Sequence, residues 1–264
     1  MRKILLCPPT FYDIEYVINP WMDIENKVDK KKVLKEYEVL KNLYKTLGAK
    51  VYEIEPVRGL PDMVYAANFG FVKDNLFIKS NFKYPQRQAE SIYSKKYFEN
   101  HGFAIAELPT EVCFEGQGDL LYAQGKYFMG YGKRTDLIAK KYLEDFLKSE
   151  ITEFKLSDPY FYHFDMSFAP LDSQTVIINK NSFDQGGVEK IYKNFKNVIL
   201  TSDSDNKIFS CNLVVVGKNV VIGKGISEKL KSDFNKFGFV SHEVEMSEYR
   251  KGGGSVKCLT LEYF

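Results

Sequence analysis

The chain has 264 residues, 44% of them hydrophobic, with 37 basic and 35 acidic side chains. That length buries a large core in one big domain or two small ones. The near balance of charge, with no basic cluster interleaved with aromatics, argues against nucleic acid, and the longest apolar runs, such as Leu213-Val214-Val215-Val216, have strand length and fall far short of a bilayer span.

The segment Met1–Leu6 reads as a first strand closed by Pro8-Pro9. Its apolar run is too short for a secretory leader, so a cytoplasmic protein is expected. Four cysteines (Cys7, Cys113, Cys211 and Cys258) lie far apart with no CxxC pair and are expected to be reduced thiols. The three histidines (His101, His163 and His242) lack metal-ligand spacing, so no metal is expected. Tyr16–Met22 follows as an apolar loop around the amide Asn19. From Asp29 to Leu47, Val33, Leu34, Tyr37, Leu40, Leu43, Tyr44 and Leu47 recur at helical spacing, and Gly48 supplies the stop. Val51–Ile54 is a short strand.

From there one pattern recurs: a small or polar residue opens a strand, a turn and a second strand follow, and a helix and a third strand complete the unit. The openings fall at Asn68, Asp119, Asp165, Asn212 and Cys258, spaced 51, 46, 47 and 46 residues apart. Periods near 40 to 50 residues mark propeller-like repeats. Helices are predicted at Gln86–Asn100, Thr135–Leu147, Gly187–Phe195 and Ser227–Phe237 between the copies. The regularity predicts a single α/β domain over residues 1–264, a ring of five ββαβ units with the five opening residues converging on one central polar pocket.

Cys258 lies at the end of Gly252-Gly253-Gly254-Ser255-Val256-Lys257-Cys258. Three glycines allow the backbone to press against a small molecule. Lys257 and the loop's N–H groups are expected to depress the thiol pKa and favour the nucleophilic thiolate. Alone, Cys258 reads as a small buried residue; its neighbours in the ring change that. In Tyr160–Asp165, read as a strand, His163 and Asp165 share a face while Phe164 packs behind. Imidazole, facing carboxylate and a ring-opposed thiol form a credible acid–base and nucleophile set. Phe114-Glu115-Gly116-Gln117-Gly118-Asp119 adds two carboxylates in apolar surroundings, where a cationic substrate would partner them.

The motifs Pro61-Asp62-Met63-Val64-Tyr65-Ala66-Ala67-Asn68, Phe114–Asp119, His163-Phe164-Asp165 and Gly252–Cys258 resemble, in order and spacing, the guanidine-modifying (amidinotransferase-fold) superfamily, over nearly the whole chain. The resemblance implies a five-bladed α/β propeller with Cys258 as nucleophile, His163 as acid and base, and Glu115 and Asp165 clamping a guanidinium. It implies that Glu115 also holds the histidine, that Arg87 and Arg134 hold the carboxylate of free arginine, and that Asn68, Asn19 and Asp119 complete the substrate pocket. No cofactor is implied beyond water, the partner is a small molecule, and a homo-oligomer is compatible with the sequence. After His163-x-Asp165 the chain departs from many relatives, carrying Met166-Ser167-Phe168-Ala169-Pro170. Asn68 replaces the aspartate of arginine deiminases, as in the arginine dihydrolase branch. An amide accepts a neutral ureido group as readily as a guanidinium. The expected reaction is therefore arginine to ornithine, carbon dioxide and ammonia. A deiminase or dimethylargininase stopping at citrulline, an amidinotransferase, and a non-catalytic arginine-binding propeller are the alternatives.

Overall fold

The computed structural model describes every residue except Met1 and Gln124. The first residue of the first predicted strand and one residue of the second repeat thus lie outside the described residues. Strand β1 (Lys3–Leu6) leads through a long loop into helix α1 (Lys30–Thr46), and β2 (Lys50–Glu53) returns parallel to β1. Asp29 caps α1, its side chain accepting from the Lys31 and Lys32 amides; such a cap contributes about 1 kcal/mol. Val33, Tyr37, Leu40 and Tyr44 bury one face of the helix.

Four units of identical connectivity follow. In the first, β3 (Gly70–Lys73) and β4 (Leu76–Lys79) are antiparallel, and β5 (Ala104–Ala106) returns parallel to β4 after α2 (Pro85–Gln88) and α3 (Glu90–Asn100). The second is β6 (Leu120–Ala123), β7 (Lys126–Tyr131), α4 (Ala139–Leu147) and β8 (Ile151–Lys155). The third is β9 (Phe168–Pro170), β10 (Thr175–Ile178), α5 (Gln185–Asn194) and β11 (Asn197–Leu200). After the short α6 (Asp203–Asn206), β12 (Val214–Val216), β13 (Asn219–Gly223), α7 (Glu228–Lys236) and β14 (Val240–Val244) form the fourth. Past α8 (Ser247–Arg250), β15 (Leu261–Tyr263) pairs antiparallel with β1, so a fifth unit takes its opening strand from one end of the chain and the rest from the other. β15 also pairs with β3, which merges two units into the six-stranded order β2-β1-β15-β3-β4-β5.

Two predicted helices start differently. Gln86–Asn100 is broken at Ala89, which turns Arg87 inward. α4 begins four residues late because the Thr135 hydroxyl is used elsewhere, donating to Asp119 Oδ2 at 2.7 Å and accepting from the Glu115 amide.

The five opening residues do not sit on strands. Each occupies a tight turn just before one: Asn68 in Ala66–Phe69, Asp119 after Gly116–Gly118, Asp165 in Phe164–Met166, and Asn212 and Cys258 in the turns ahead of β12 and β15. Hydrogen bonds join these turns in a closed circuit. Asn68 Nδ2 donates to the Glu115 carbonyl and the Phe164 amide to Asp119 Oδ1; Asn212 Nδ2 donates to the Asp165 carbonyl, the Cys258 amide to Asn212 Oδ1, and the Ala67 amide to the Cys258 carbonyl. Around the circuit the interior is apolar. Phe128, Phe154, Phe164 and Phe168 pack together between the second and third units, with the Phe164 and Phe168 rings stacked 4.5 Å apart.

Candidate active site

The turn bearing Cys258 is held by its backbone, so the sulfur has little freedom. Asn212 fixes both ends, accepting from the Cys258 amide at 3.0 Å and placing Nδ2 3.1 Å from Sγ. Asp165 Oδ2 lies 3.5 Å from the same sulfur. All three side chains are buried. Burial first, and the Asp165 carboxyl second, push the Cys258 thiol well above its usual range, because a second negative charge in a low-dielectric enclosure is costly. The expected depression by Lys257 is not found. Lys257 Nζ points away, bonded to Gln117 Oε1 at 2.7 Å and Glu262 Oε2 at 2.9 Å. Burial likewise pushes Asp165 up to about 7, against the pull of the Lys257 charge.

His163 belongs to a different electrostatic setting. Its Nε2 lies 2.7 Å from Glu115 Oε2. A carboxylate only accepts, so Nε2 carries the proton and Nδ1, which has no hydrogen-bond partner among the described residues, keeps its lone pair. The same Glu115 oxygen accepts from Arg134 Nη1 at 3.2 Å, and Oε1 accepts from the Lys83 amide. Burial works to raise the Glu115 pKa, but the Arg134 charge and the His163 hydrogen bond outweigh it and hold the carboxyl well below its usual range. His163 is held below the usual imidazole range, by burial first, so it is a neutral base at pH 7. Gly118 makes the contact possible: a Cβ there would come 2.3 Å from Asn68 Nδ2 and 3.2 Å from the His163 ring.

His163 and Asp165 do not share a strand face. The segment is irregular up to His163 and then turns through Phe164–Met166, so the imidazole meets Glu115 and the carboxylate meets the sulfur. Phe164 packs behind as expected, stacked on Phe154 and Phe168.

Cys258 and His163 open onto one narrow cavity, also lined by Asn19, Asn68, Arg87, Arg134, Asp62, Tyr65 and Tyr162. Asn19 donates to the Gly252 carbonyl and accepts from the Trp21 amide. Gly253 has φ +86, and a Cβ would meet Asn19 and the Tyr162 hydroxyl at 2.8 Å, so only glycine fits the cavity wall here. The Arg134 guanidinium is sandwiched 4.5 Å from the Tyr84 and Tyr162 rings and borders a wider outer groove. Arg87 is committed differently. Nε and Nη2 form a two-pronged pair with Glu90, and Nη1 donates to Asn68 Oδ1 at 2.9 Å. It orients the amide and has few donors left for a substrate carboxylate.

Of the expected site residues, Glu115, Asp165 and Asp119 do not line the cavity, and Asp119 is committed elsewhere: Thr135 occupies one oxygen and the Phe164 amide the other, so it braces the turn that carries His163 and Asp165. Glu115 and Asp165 stand directly behind the imidazole and the sulfur. Sequence reasoning missed Asp62 as a lining residue, although a carboxylate inside the Pro61–Asn68 motif was its signal. Burial raises its pKa against the pull of Arg87.

A buried thiol, a neutral imidazole on an ionised carboxylate, and a second carboxyl without a cation hydrogen-bonded to it thus meet around one cavity. The family described as N,N-dimethylarginine dimethylhydrolase, eukaryotic, matches residues 13–264. The bifunctional arginine dihydrolase/ornithine cyclodeaminase ArgZ of Synechocystis is 36% identical over 98% of this chain, which spans 37% of that enzyme's length. The N(G),N(G)-dimethylarginine dimethylaminohydrolase of Mycobacterium tuberculosis is also 36% identical, over 99% of this chain and 85% of its own length. The N-terminal domain of ArgZ, solved with product bound, superposes with a TM-score of 0.96 at 34% identity, covering 100% of this chain and 97% of that one. The chain belongs to the dimethylargininase and arginine dihydrolase family of guanidino-group hydrolases. No helix among the described residues is long and apolar enough to cross a membrane.

Proposed function

We propose that the chain is an arginine dihydrolase that converts free arginine to ornithine, carbon dioxide and two ammonia molecules through an intermediate on Cys258. The observation that carries this reading over its alternatives is Asn68, a neutral amide in the wall shared by the thiol and the imidazole. Citrulline, the product of one hydrolysis, is uncharged at its reacting end, and an aspartate at this position would add a negative charge that favours a guanidinium over it. The five units, with their closed hydrogen-bond circuit, are read as the blades of a propeller around this cavity.

The guanidinium enters toward the Cys258 sulfur, and the Asp165 carboxyl behind that sulfur attracts its charge. Its positive charge favours thiolate over thiol, so the nucleophile forms when the substrate arrives. Sulfur bonds to the central carbon; His163 Nδ1, having taken a proton from solvent as the cation docks, passes it to one terminal nitrogen, which leaves as ammonia. A thiouronium results. His163 Nδ1, neutral again, takes a proton from water, whose oxygen bonds to the carbon; the C–S bond breaks and citrulline forms. In the second round sulfur attacks the ureido carbon, the second ammonia leaves, and water releases a carbamate that splits into ornithine and carbon dioxide. Glu115 holds the histidine throughout. Arg134, at the outer end of the cavity, is assigned the substrate carboxylate, and Arg87 sets the orientation of Asn68.

A dimethylargininase stopping at citrulline is the second reading, favoured by the equal identity to the mycobacterial enzyme. Incubation with arginine, with methylated arginines and with citrulline, followed by mass identification of products, separates the two. Ornithine from both arginine and citrulline supports the dihydrolase; citrulline as the end product overturns it. Bound arginine without turnover would leave a binding propeller.

A further inference from the structure

The reaction centre has a second side. A rear cavity of about 40 Å³ is lined by Asp165, Lys257, Glu262, Cys211, Val215 and Arg2, among others, and shares no residue with the front cavity. Asp165 joins the two. Its Oδ2 lies against the Cys258 sulfur on the front side, while Oδ1, fully buried, has no hydrogen-bond partner among the described residues. A carboxylate oxygen without a donor is costly to bury, and a cavity of this size, with Lys257, Glu262 and Arg2 in its wall, admits water.

The rear cavity leads outward. Arg2 and Val215 also line an open groove of about 850 Å³ with Asp172, Gly217 and Lys218. Arg2 stands between them as a latch: Nε lies 3.2 Å from Glu262 Oε1, Nη2 donates to the Val215 carbonyl, and the guanidinium sits over the Phe264 ring. The charged and titratable groups around Asp165 are Cys258, Lys257 and Glu262 on the last turn and strand, Arg2 ahead of β1, Cys211 ahead of β12, Tyr122 on β6, and Asp119 across the circuit.

We propose that the rear cavity is a second solvent entrance to the reaction centre, and that Asp165 relays the Cys258 proton to it while substrate fills the front. The inference rests on Cys258 being the nucleophile. When the guanidinium docks, the S–H bond breaks and the proton bonds to Asp165 Oδ2. Half a rotation of the carboxyl about Cβ–Cγ turns the O–H rearward, where water takes the proton and leaves a carboxylate facing the substrate. After product departs the proton returns by the same path. No bond to carbon changes and no oxidant is needed.

The test plugs and unlatches the rear. In Val215→Phe, proton release after mixing with arginine, followed with a pH indicator, and formation of the Cys258 adduct, followed by rapid quench and intact mass, should slow together about tenfold while KM stays within about twofold. The solvent isotope effect on adduct formation should rise. Arg2→Gln, at a partly exposed latch, should move the pH dependence of proton release upward by removing a cation near Asp165; this arm decides the matter should Val215→Phe fail to fold. A parent protein that forms no adduct overturns the hydrolase reading and the relay with it. Normal reaction in the parent, with proton release and adduct formation unchanged in both variants, overturns the relay alone.

Discussion

The two walls of the cavity are built on opposite electrostatic plans. On the His163 side every charge is matched within the protein: Glu115 binds His163 and Arg134, and Arg87 is locked to Glu90. On the Cys258 side nothing is matched. The thiol is kept protonated, the Asp165 carboxyl is pushed up to about 7, and one of its oxygens has no donor. The first wall is preorganised and works as built, which is how fixed dipoles and charges lower barriers without rearrangement. The second is left incomplete, and in the proposed reaction a flat cation completes it. An active site thus separates the part that must be rigid from the part that must recognise.

The most severe way to break this division is Cys258→Ser, which removes the proposed nucleophile from the unmatched wall. Turnover of arginine should fall by at least about 10³-fold while binding, read by calorimetry, remains. Glu115→Gln attacks the matched wall instead. His163 loses its ionised partner and Arg134 its buried counter-charge, so kcat should fall about 10²-fold; a loss confined to KM would mean that Glu115 merely shapes the pocket.

Asp165→Asn sharpens the contrast because it should help the empty protein while harming the enzyme. The folded pKa of Asp165 lies above the unfolded value, so its destabilising effect is absent at low pH and grows as pH rises from about 4 toward 7. The asparagine variant should therefore melt higher than the parent at pH 8 and no higher at pH 4, by differential scanning fluorimetry, yet bind arginine at least about tenfold more weakly. In the parent, kcat/KM for arginine should decline below pH 7 as the carboxyl becomes neutral and no longer attracts the cation. The smallest effect is expected for Asn68→Asp. Arg87 still has an oxygen to bind, but the carboxylate now faces the Glu115 carbonyl that the amide had bonded. Product analysis should show citrulline gaining on ornithine, with total arginine consumption changed only a few-fold. An unchanged ratio would remove the amide from the choice of product.

The repeat was legible because it is written in spacing. Asn68, Asp119, Asp165, Asn212 and Cys258 are the residues, with their immediate neighbours, that the hydrogen-bond circuit joins. What spacing could not tell was the local geometry. Tyr160–Asp165 has the aromatic look of a strand, but the turn around Phe164 is imposed by contacts with Asp119, a residue 45 positions away. The Cys258 thiol was misjudged for a related reason: proximity in sequence to Lys257 says nothing of direction, and the ammonium turns to Glu262. Asp119 has the composition of a pocket acid and spends both oxygens on backbone and hydroxyl donors. Asp62 was hidden by the opposite effect, a plain acidic residue in a short turn that becomes a wall of the cavity only when Arg87 folds in beside it.

β15 is only three residues long, yet it lies between β1 and β3, and the turn bearing Cys258 hangs from it. The sulfur therefore takes its position only after contacts between residues some 190 to 260 apart in sequence have formed, the kind of pairing that arrives late in folding. A half-assembled chain can hold its imidazole ready and still be chemically inert. Such a fold keeps a reactive sulfur from being presented before its surroundings are complete, and makes catalysis itself a stringent report on whether the whole molecule has come together.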